Sequence, residues 1–383
     1  MKILHIGKYF LPFAGGIEHF MGSLIAEQVK QGHSVVAIAH QHQQTAENSL
    51  VNFKGADIHL LKTFCHIPFV PLSWGLPSRL QALIESFQPD IIHLHCPNIA
   101  AFWGLFLPQA RKIPWVIHWH SDVLDNSSPR FIKILYPIYR QFQDAILRKA
   151  KAVIATSPAY ASSSVALKNF ADKTTIIPLG LESVANLQRN REESSTLKLL
   201  AVGRLAYYKG YTHLLNATSL AVRQGVDLRL EIIGSGAFQS SLLAQIKNLE
   251  LESRVKLLGQ VTDAVRDAKL NQCDLLCLSS IERTEAFGLV LLEAMSAGKP
   301  CLVSDVPGSG MSWVVVNNDT GFVYKNGDSH DLARILTEIA ANIEQLPVMG
   351  RAGRQRFEEL FQIPVIAQKI EQLYQDILGK PIN

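Results

Sequence analysis

Several things are missing from this 383-residue chain, and each absence closes a class of function. No apolar run approaches the roughly 18 residues that cross a bilayer, because AAFWGLFL, from Ala100 to Leu107, stops at Pro108. Integral membrane insertion is therefore not expected. The opening MKILHIG has neither an apolar signal core nor a small-residue cleavage site, so it reads as a first buried strand rather than a secretory leader. Cysteine is scarce: Cys65, Cys96, Cys273, Cys277 and Cys301 are odd in number and include no C-x-x-C pair. Reduced, packed thiols in a cytoplasmic protein fit that usage better than a disulfide framework. The turn Gly234-Ser235-Gly236 is not a complete G-x-G-x-x-G, since Gln239 stands where the third glycine belongs, and this disfavours a dehydrogenase. Internal repeats, low-complexity tracts and D-x-D pairs are absent as well.

What is present describes an α/β enzyme of two domains. The chain exceeds the size at which single cores stop growing, and its 48% hydrophobic and 18% charged residues suit a folded, water-soluble protein. Strand-like runs alternate with amphipathic helical patterns, which argues for parallel sheets flanked by helices. One series covers residues 2–7, 34–40, 56–61, 90–95, 114–120, 152–156 and 174–178; a second covers 197–203, 227–234, 254–259, 274–280, 300–305 and 321–324. The polar stretch NLQRNREESST, 186–196, separates them. Two Rossmann-like domains explain both series, over residues 1–185 and 186–362, with 363–383 as a closing helix. Charge is uneven: residues 1–180 hold 16 Lys+Arg against 10 Asp+Glu, leaving 21 against 23 for the remainder. A basic first half could face anionic headgroups or a pyrophosphate-linked acceptor, or simply be solvated.

The densest information lies in EAFGLVLLEAMSAGKP, residues 285–300. Glu293 is the one ionisable side chain between Ala286 and Gly298, and a carboxylate on so apolar a segment is costly without a hydrogen-bonding partner. A ligand is one such partner; a core arginine is the other. With Thr284 as N-cap, the N–H groups of Ala286, Phe287, Gly288 and Leu289 would form an anion site beside Glu285. Upstream, AVGRLAYYKG places Arg204 and Lys209 just past a strand end, where open α/β sheets bind ligands and where two cations suit a diphosphate. In the first half, Gly15-Gly16 makes a flexible loop before a helix, and VIHWHSDVL puts His118, His120 and Asp122 at the end of a strand.

Taken in order, Gly15-Gly16, His120, Arg204, Lys209 and the E-x7-E pair Glu285/Glu293 resemble the large family 4 of retaining glycosyltransferases over nearly the whole chain. The resemblance implies the GT-B architecture: two Rossmann-like domains facing across a cleft, with the last helix crossing back to the first domain. It implies a nucleotide-sugar donor, with Arg204 and Lys209 on its diphosphate, Glu285 and His120 on its sugar, and Glu293 on its ribose. Phe287, Gly288 and Leu289 then supply N–H groups to the diphosphate, Gly15 and Gly16 approach phosphate or sugar, and Gly234, Gly236 and Val261 line the nucleotide. Glu18 is expected to organise the helix start or the acceptor face. No cofactor and no metal are expected. His118 and His120 face one side, Asp122 falls past the strand end, and this family generally works without a metal.

Other features carry less. His93 and His95 read as core or supporting groups, and Asn98 and Trp103 as candidates for the acceptor face. The stretch 129–151 and the loop 66–77 could touch a membrane; a helix packed on its own sheet, interrupted at Pro137, is the alternative for the former. WHSD, GRLAYYKG and PGSGMSWV look similar to bacterial mannosyl- and rhamnosyl-type transferases of surface polysaccharide assembly, which tilts the donor toward a GDP-sugar over a UDP-sugar. The expected acceptor is a glycan or lipid-linked oligosaccharide at the cytoplasmic membrane face, with possible contact to anionic membrane and none to nucleic acid. A nucleotide-sugar epimerase of the same architecture and a non-catalytic homologue are the rival readings.

Overall fold

Runs such as IIHLHC and LLCL are apolar or neutral throughout, as strands must be when helices cover both faces of a sheet. The computed structural model describes all residues except 14, 44–46, 68–69, 124–129, 184–195 and 380–383. The expected boundary at 185/186 and the polar stretch up to residue 195 lie outside the described residues. The chain divides into two units, Met1–Glu182 with Gln362–Asn383, and Ser183–Phe361.

In the first unit the strands are β1 (Lys2–Ile6), β2 (Ser34–His40), β3 (Ser49–Phe53), β4 (Ala56–Leu61), a hairpin of β5 (Cys65–Ile67) and β6 (Val70–Leu72), β7 (Ile91–Cys96), β8 (Trp115–Trp119), β9 (Ala152–Ala155) and β10 (Thr174–Ile176). Its helices are α1 (Gly16–Lys30), α2 (Leu76–Phe87), α3 (Pro108–Lys112), α4 (Arg130–Lys149) and α5 (Pro158–Ser163). The main sheet has the order β10-β9-β8-β7-β1-β2-β4-β3, parallel except for the antiparallel edge strand β3. The second unit carries β11 (Leu197–Val202), β12 (Leu228–Ile233), β13 (Val255–Gly259), β14 (Leu275–Leu278), β15 (Cys301–Ser304) and β16 (Gly321–Tyr324). They form one parallel sheet in the order β13-β12-β11-β14-β15-β16. Around it lie α6 (Tyr211–Arg223), α7 (Gln239–Asn248), α8 (Asp263–Gln272), α9 (Leu289–Ser296), α10 (Met311–Val314), α11 (Ser329–Ala341) and α12 (Leu346–Leu360). Leu214 and Leu215 of α6 and Leu332 and Leu336 of α11 seal one core with the inner strands.

The last helix, α13 (Ile363–Leu378), belongs to the first unit. It buries Ile363, Ile366, Ala367, Ile370 and Tyr374 at helical spacing and packs beside α1. The expected helical C-terminus returning to the first domain is thus present.

Three local expectations are corrected. Helix α4 runs through Pro137 without ending there; beyond the proline, Phe102 meets Tyr139 and Phe142 at ring separations of 5.2 and 5.5 Å, so tertiary packing holds the helix across one lost hydrogen bond. The loop expected at 66–77 contains most of the short hairpin β5–β6 and the start of α2, too little of any one element to show a periodicity. Gly16 is the first residue of α1 and Gly15 its cap, so the pair ends a loop rather than forming one.

Strand order places the chemistry. In each sheet the chain builds outward in one direction and then returns to the other side of its first strand, giving a reversal between β1 and β7 and another between β11 and β14. Ligands of open α/β sheets bind beyond the carboxyl ends of strands at such reversals.

Candidate active site

In the second unit both strands at the reversal end in tight, polar turns. The loop after β11 is tied to the loop after β14 by a hydrogen bond from the Ile281 N–H to the Tyr208 carbonyl (2.8 Å) and another from Ser279 Oγ to the Lys209 carbonyl (2.9 Å). Gly210 permits that approach: its φ is +66°, and a Cβ there would lie 2.0 Å from the Ser279 carbonyl oxygen. The loop therefore closes Lys209 down onto the site. Lys209 Nζ donates to Glu285 Oε2, which also accepts from Ser280 Oγ at 3.2 Å. Both side chains are nearly buried, 11% and 14% exposed. Burial alone would lower the Lys209 pKa, but Glu285, helped by Tyr208 and Tyr211, outweighs it and raises the pKa above the usual ammonium range. No described donor reaches Glu285 Oε1, which leaves one carboxylate oxygen to accept from a ligand.

Glu285 stands before α9 and not on it. The helix begins at Leu289 with Gly288 as its cap, at φ +81°, which corrects the expectation that Thr284 caps a helix running from residue 285. The Glu285 N–H is turned back to the Glu282 carbonyl (3.1 Å), while the Glu285 carbonyl accepts from Ser309 Oγ at 2.5 Å. No described group accepts from the N–H groups of Phe287, Gly288 or Leu289, the first donors of the helix. Glu293 follows one turn into α9, 21% exposed, and meets Arg266 of α8 at 3.7 Å. Burial raises its pKa, and Arg266 opposes this only in part. The arginine partner is thus present, although it comes from an acidic helix surface shared with Asp263 and Asp267 rather than from the core. Sequence reading missed Arg266 because nothing in DAVRDAKLNQ distinguishes it from a solvated charge.

Arg204 is exposed at the end of β11, and no described carboxylate pairs with it. Gly234 and Gly236 are spacing devices: a Cβ at Gly234 would sit 2.0 Å from the Gly203 carbonyl oxygen, and one at Gly236 2.3 Å from that of Leu205. The glycine turn thus packs on the segment that carries Arg204, and Leu205 N–H donates to Ser235 at 2.9 Å. Val261 is half-buried just beyond β13.

At the reversal in the first sheet the polar groups are histidines. His5 on β1, His93 and His95 on β7, and His118 and His120 at the end of β8 are all buried on one sheet face, beneath Phe20 and Gln28 of α1 and Tyr374 of α13. His5 Nδ1 lies 3.0 Å from His95 Nε2, and His95 Nδ1 3.1 Å from His120 Nε2. His93 stacks on His95 at 4.8 Å and His118 on His120 at 4.5 Å. Burial pushes His5 down to about 4 and His120 to about 3, and it holds His93, His95 and His118 well below the ordinary value, with their neighbours adding to it. Ring nitrogens of His93, His95 and His118 come within 4.8 Å of one another. His95 has both nitrogens in hydrogen bonds, His93 Nδ1 is bonded to Tyr374 and the rings are nearly parallel, while His93 Nε2 and both His118 nitrogens have no described partner.

Around this array the remaining expected residues have local tasks. Asp122 accepts from Trp119 Nε1 (2.9 Å) and Ser164 Oγ (2.7 Å), and so pins the chain after β8. Glu18 is buried in the first turn of α1, where its carboxylate fills the space over Gly15; a Cβ on Gly15 would be 2.1 Å from Oε2. Asn98 is buried and caps the turn Ile99–Phe106, its Oδ1 accepting from the Ala100 N–H, which corrects its assignment to an acceptor surface. Trp103 is 40% exposed. Cys96, Cys273, Cys277 and Cys301 are buried free thiols. No described helix is long and apolar enough to cross a membrane.

Comparison with known proteins bears on both halves. Residues 15–180 match the description "Glycosyl transferase 4-like domain" and residues 185–356 match "Glycosyl transferases group 1". The chain is 35% identical to N-acetyl-alpha-D-glucosaminyl L-malate synthase of Bacillus anthracis, with 99% of each chain covered. It is 28% identical to D-rhamnosyltransferase WbpZ of Pseudomonas aeruginosa (94% of this chain, 92% of the relative) and 27% to O-antigen chain mannosyltransferase C of Escherichia coli (99% of each). Sucrose-phosphate synthase from Thermosynechococcus elongatus superposes with a TM-score of 0.79 at 22% identity over 99% of each chain, which shows the shared GT-B fold.

Proposed function

The chain belongs to the group 1 glycosyl transferases with a glycosyl transferase 4-like first domain, and on that premise we propose that it moves a hexose from a nucleotide diphosphate sugar to an acceptor hydroxyl with retention at the anomeric carbon. The observation that carries this reading is the buried Lys209–Glu285 pair at the strand reversal of the second sheet, beside Arg204, with which no described carboxylate pairs, and the donor N–H groups of α9. An ammonium and a guanidinium stabilise charge that develops on the diphosphate as the glycosidic C–O bond breaks, usually the largest catalytic contribution. Glu285 holds Lys209 through one oxygen and offers the other to a sugar hydroxyl. Glu293 accepts from the ribose hydroxyls, and the base lies near Gly259 to Val261. In front-face displacement the bond from the acceptor oxygen forms on the side the phosphate leaves, and the departing phosphate oxygen takes the acceptor proton. No metal is required where Arg204 and Lys209 carry that charge, so turnover should persist in EDTA.

The relatives named for rhamnosyl and O-antigen mannosyl transfer support a GDP-sugar donor and a glycan or lipid-linked acceptor of surface polysaccharide synthesis. The relative named for an N-acetylglucosaminyl group favours a second reading with a UDP-sugar. Contact with an anionic membrane is supported by α4, where Ile134, Leu135 and Ile138 are 75%, 55% and 59% exposed beside Lys133 and Arg140. The deciding experiment incubates the protein with GDP- and UDP-sugars, reading thermal shift, slow donor hydrolysis and the anomer formed on an added hydroxyl. A donor that stabilises the protein and is transferred with retention supports the proposal. If no nucleotide sugar binds, or if one is epimerised with no acceptor present, the proposal fails. Sedimentation with phosphatidylglycerol against phosphatidylcholine vesicles tests the membrane contact, which neutral and anionic vesicles binding alike would refute.

A further inference from the structure

The buried histidines form a hydrogen-bonded series with a direction, and the direction can be read from its far end. The Tyr374 hydroxyl is bonded to His93 Nδ1 and lies 3.4 Å from Gln28 Nε2. A phenol is a better donor than a neutral imidazole N–H, so Tyr374 donates to His93 and its oxygen accepts from the Gln28 amide. That orients Gln28 Oε1 toward His5, 2.8 Å from Nε2. Only a protonated Nε2 can donate to this carbonyl, so neutral His5 presents a bare Nδ1. His95 must then donate from Nε2 across the 3.0 Å contact, and His120 from its own Nε2 across the 3.1 Å contact to His95 Nδ1. The series ends on His120 Nδ1, buried and without a described partner. Burial keeps these rings neutral, and a single proton per ring is what makes one orientation propagate to the next.

We infer that Gln28 and Tyr374, acting through His5 and His95, hold His120 as its Nε2–H tautomer, so that Nδ1 is an acceptor for a hydroxyl of the donor sugar. This rests on the reading that His120 meets the sugar. Gln28, His5 and His95 are positioning residues, because they reach the sugar only through His120. The device suits its place: a free imidazole exchanges tautomers and could present either an N–H or a lone pair to the same hydroxyl, whereas an amide fixed between α1 and α13 selects one. His93 and His118 stack against the series and restrict ring rotation.

The test is long-range proton–nitrogen NMR on the full chain labelled with 15N-histidine, with His120 identified by the signals lost in His120→Gln. The expected result is a single tautomer at His120, protonated at Nε2 and bare at Nδ1, unchanged between pH 8 and about pH 5.5. Gln28→Leu and His95→Phe, which cut the series at two points, should each give a mixture of tautomers at His120. Each should lower kcat about tenfold with KM within about twofold, the loss expected when one hydrogen bond is misoriented in the transition state. A wild-type His120 protonated at Nδ1, or a single Nε2–H tautomer that survives either substitution, would overturn the relay. The NMR readout uses no substrate and so decides the relay by itself; unchanged turnover in His120→Gln would instead overturn the sugar contact.

Discussion

The two units place polar groups at equivalent points of similar sheets and neutralise the cost of burying them in opposite ways. In the second unit the solution is charge: Lys209 against Glu285, and Arg266 against Glu293. In the first it is the absence of charge, with five imidazoles kept neutral by burial, and with His5, His95, His93 Nδ1 and His120 Nε2 hydrogen-bonded among themselves, to Gln28 and to Tyr374. A site that must stabilise developing negative charge needs permanent cations, and these require a buried counter-ion while the ligand is away. A site that must only present acceptors to hydroxyls is better left uncharged. The contrast follows from what each half is proposed to hold.

The comparison can be broken most sharply at Lys209. Lys209→Met should lower kcat by about 100- to 1000-fold, the range for losing one preorganised charge donor. It should also destabilise the second unit by about 3–5 kcal/mol, because Glu285 stays buried without its partner. The double variant Lys209→Met/Glu285→Gln should recover most of the stability and none of the turnover. Chemical denaturation and initial rates on the same samples separate the two, and full stability in the single variant would mean the pair is solvated.

Smaller effects distinguish the two glutamates. Glu293→Gln should raise the donor KM about tenfold or more, as when a charged hydrogen bond is lost, while Glu285→Ala should act mainly on kcat; identical profiles would remove their separate roles. The mildest effect per group is acid lability of the first unit. A histidine whose folded pKa is depressed is protonated preferentially in the unfolded state, so stability is complete above about pH 6.5 and declines below it by about 1.4 kcal/mol per pH unit for each such residue. For His5 and His120 the decline continues to about pH 4 and about pH 3. The raised Lys209 pKa acts in the other direction: its contribution is complete below the ordinary lysine value and is lost only at strongly alkaline pH. Thermal melts followed by tryptophan fluorescence weigh the first unit most, since Trp74, Trp103, Trp115 and Trp119 all lie there. A midpoint independent of pH from 7 to 5 would show that the array is not held neutral.

Much of the architecture was legible because strands and helices of this fold are periodic and bounded by glycine and proline. The alternation of apolar runs announced two parallel sheets, and the helical spacing in Ile363–Leu378 announced a terminal helix with one apolar face. The edge strand β3 and the hairpin β5–β6 escaped because Ser49–Phe53 is largely exposed and the hairpin strands are three residues each, too little pattern for a strand. Proline at 137 was over-read, since a local rule about one missing hydrogen bond cannot see the aromatic contacts that carry α4 past it. At the site, Arg204, Lys209, Glu285 and Glu293 could be nominated from residue type and order. Their pairing could not, and neither could Arg266 or Gln28.

Residue type and chain order decided which groups are available: two cations after one strand, two carboxylates around one apolar helix, and five histidines on three strands. Those are local properties, carried by a few neighbouring positions each. Which groups share a proton or a charge was decided only when strand order brought β1 beside β7 and β11 beside β14. Gln28 and Tyr374 lie 346 positions apart and act on the same histidine series. Burial and hydrogen-bond direction depend on everything packed around a group, and no span of sequence contains that information.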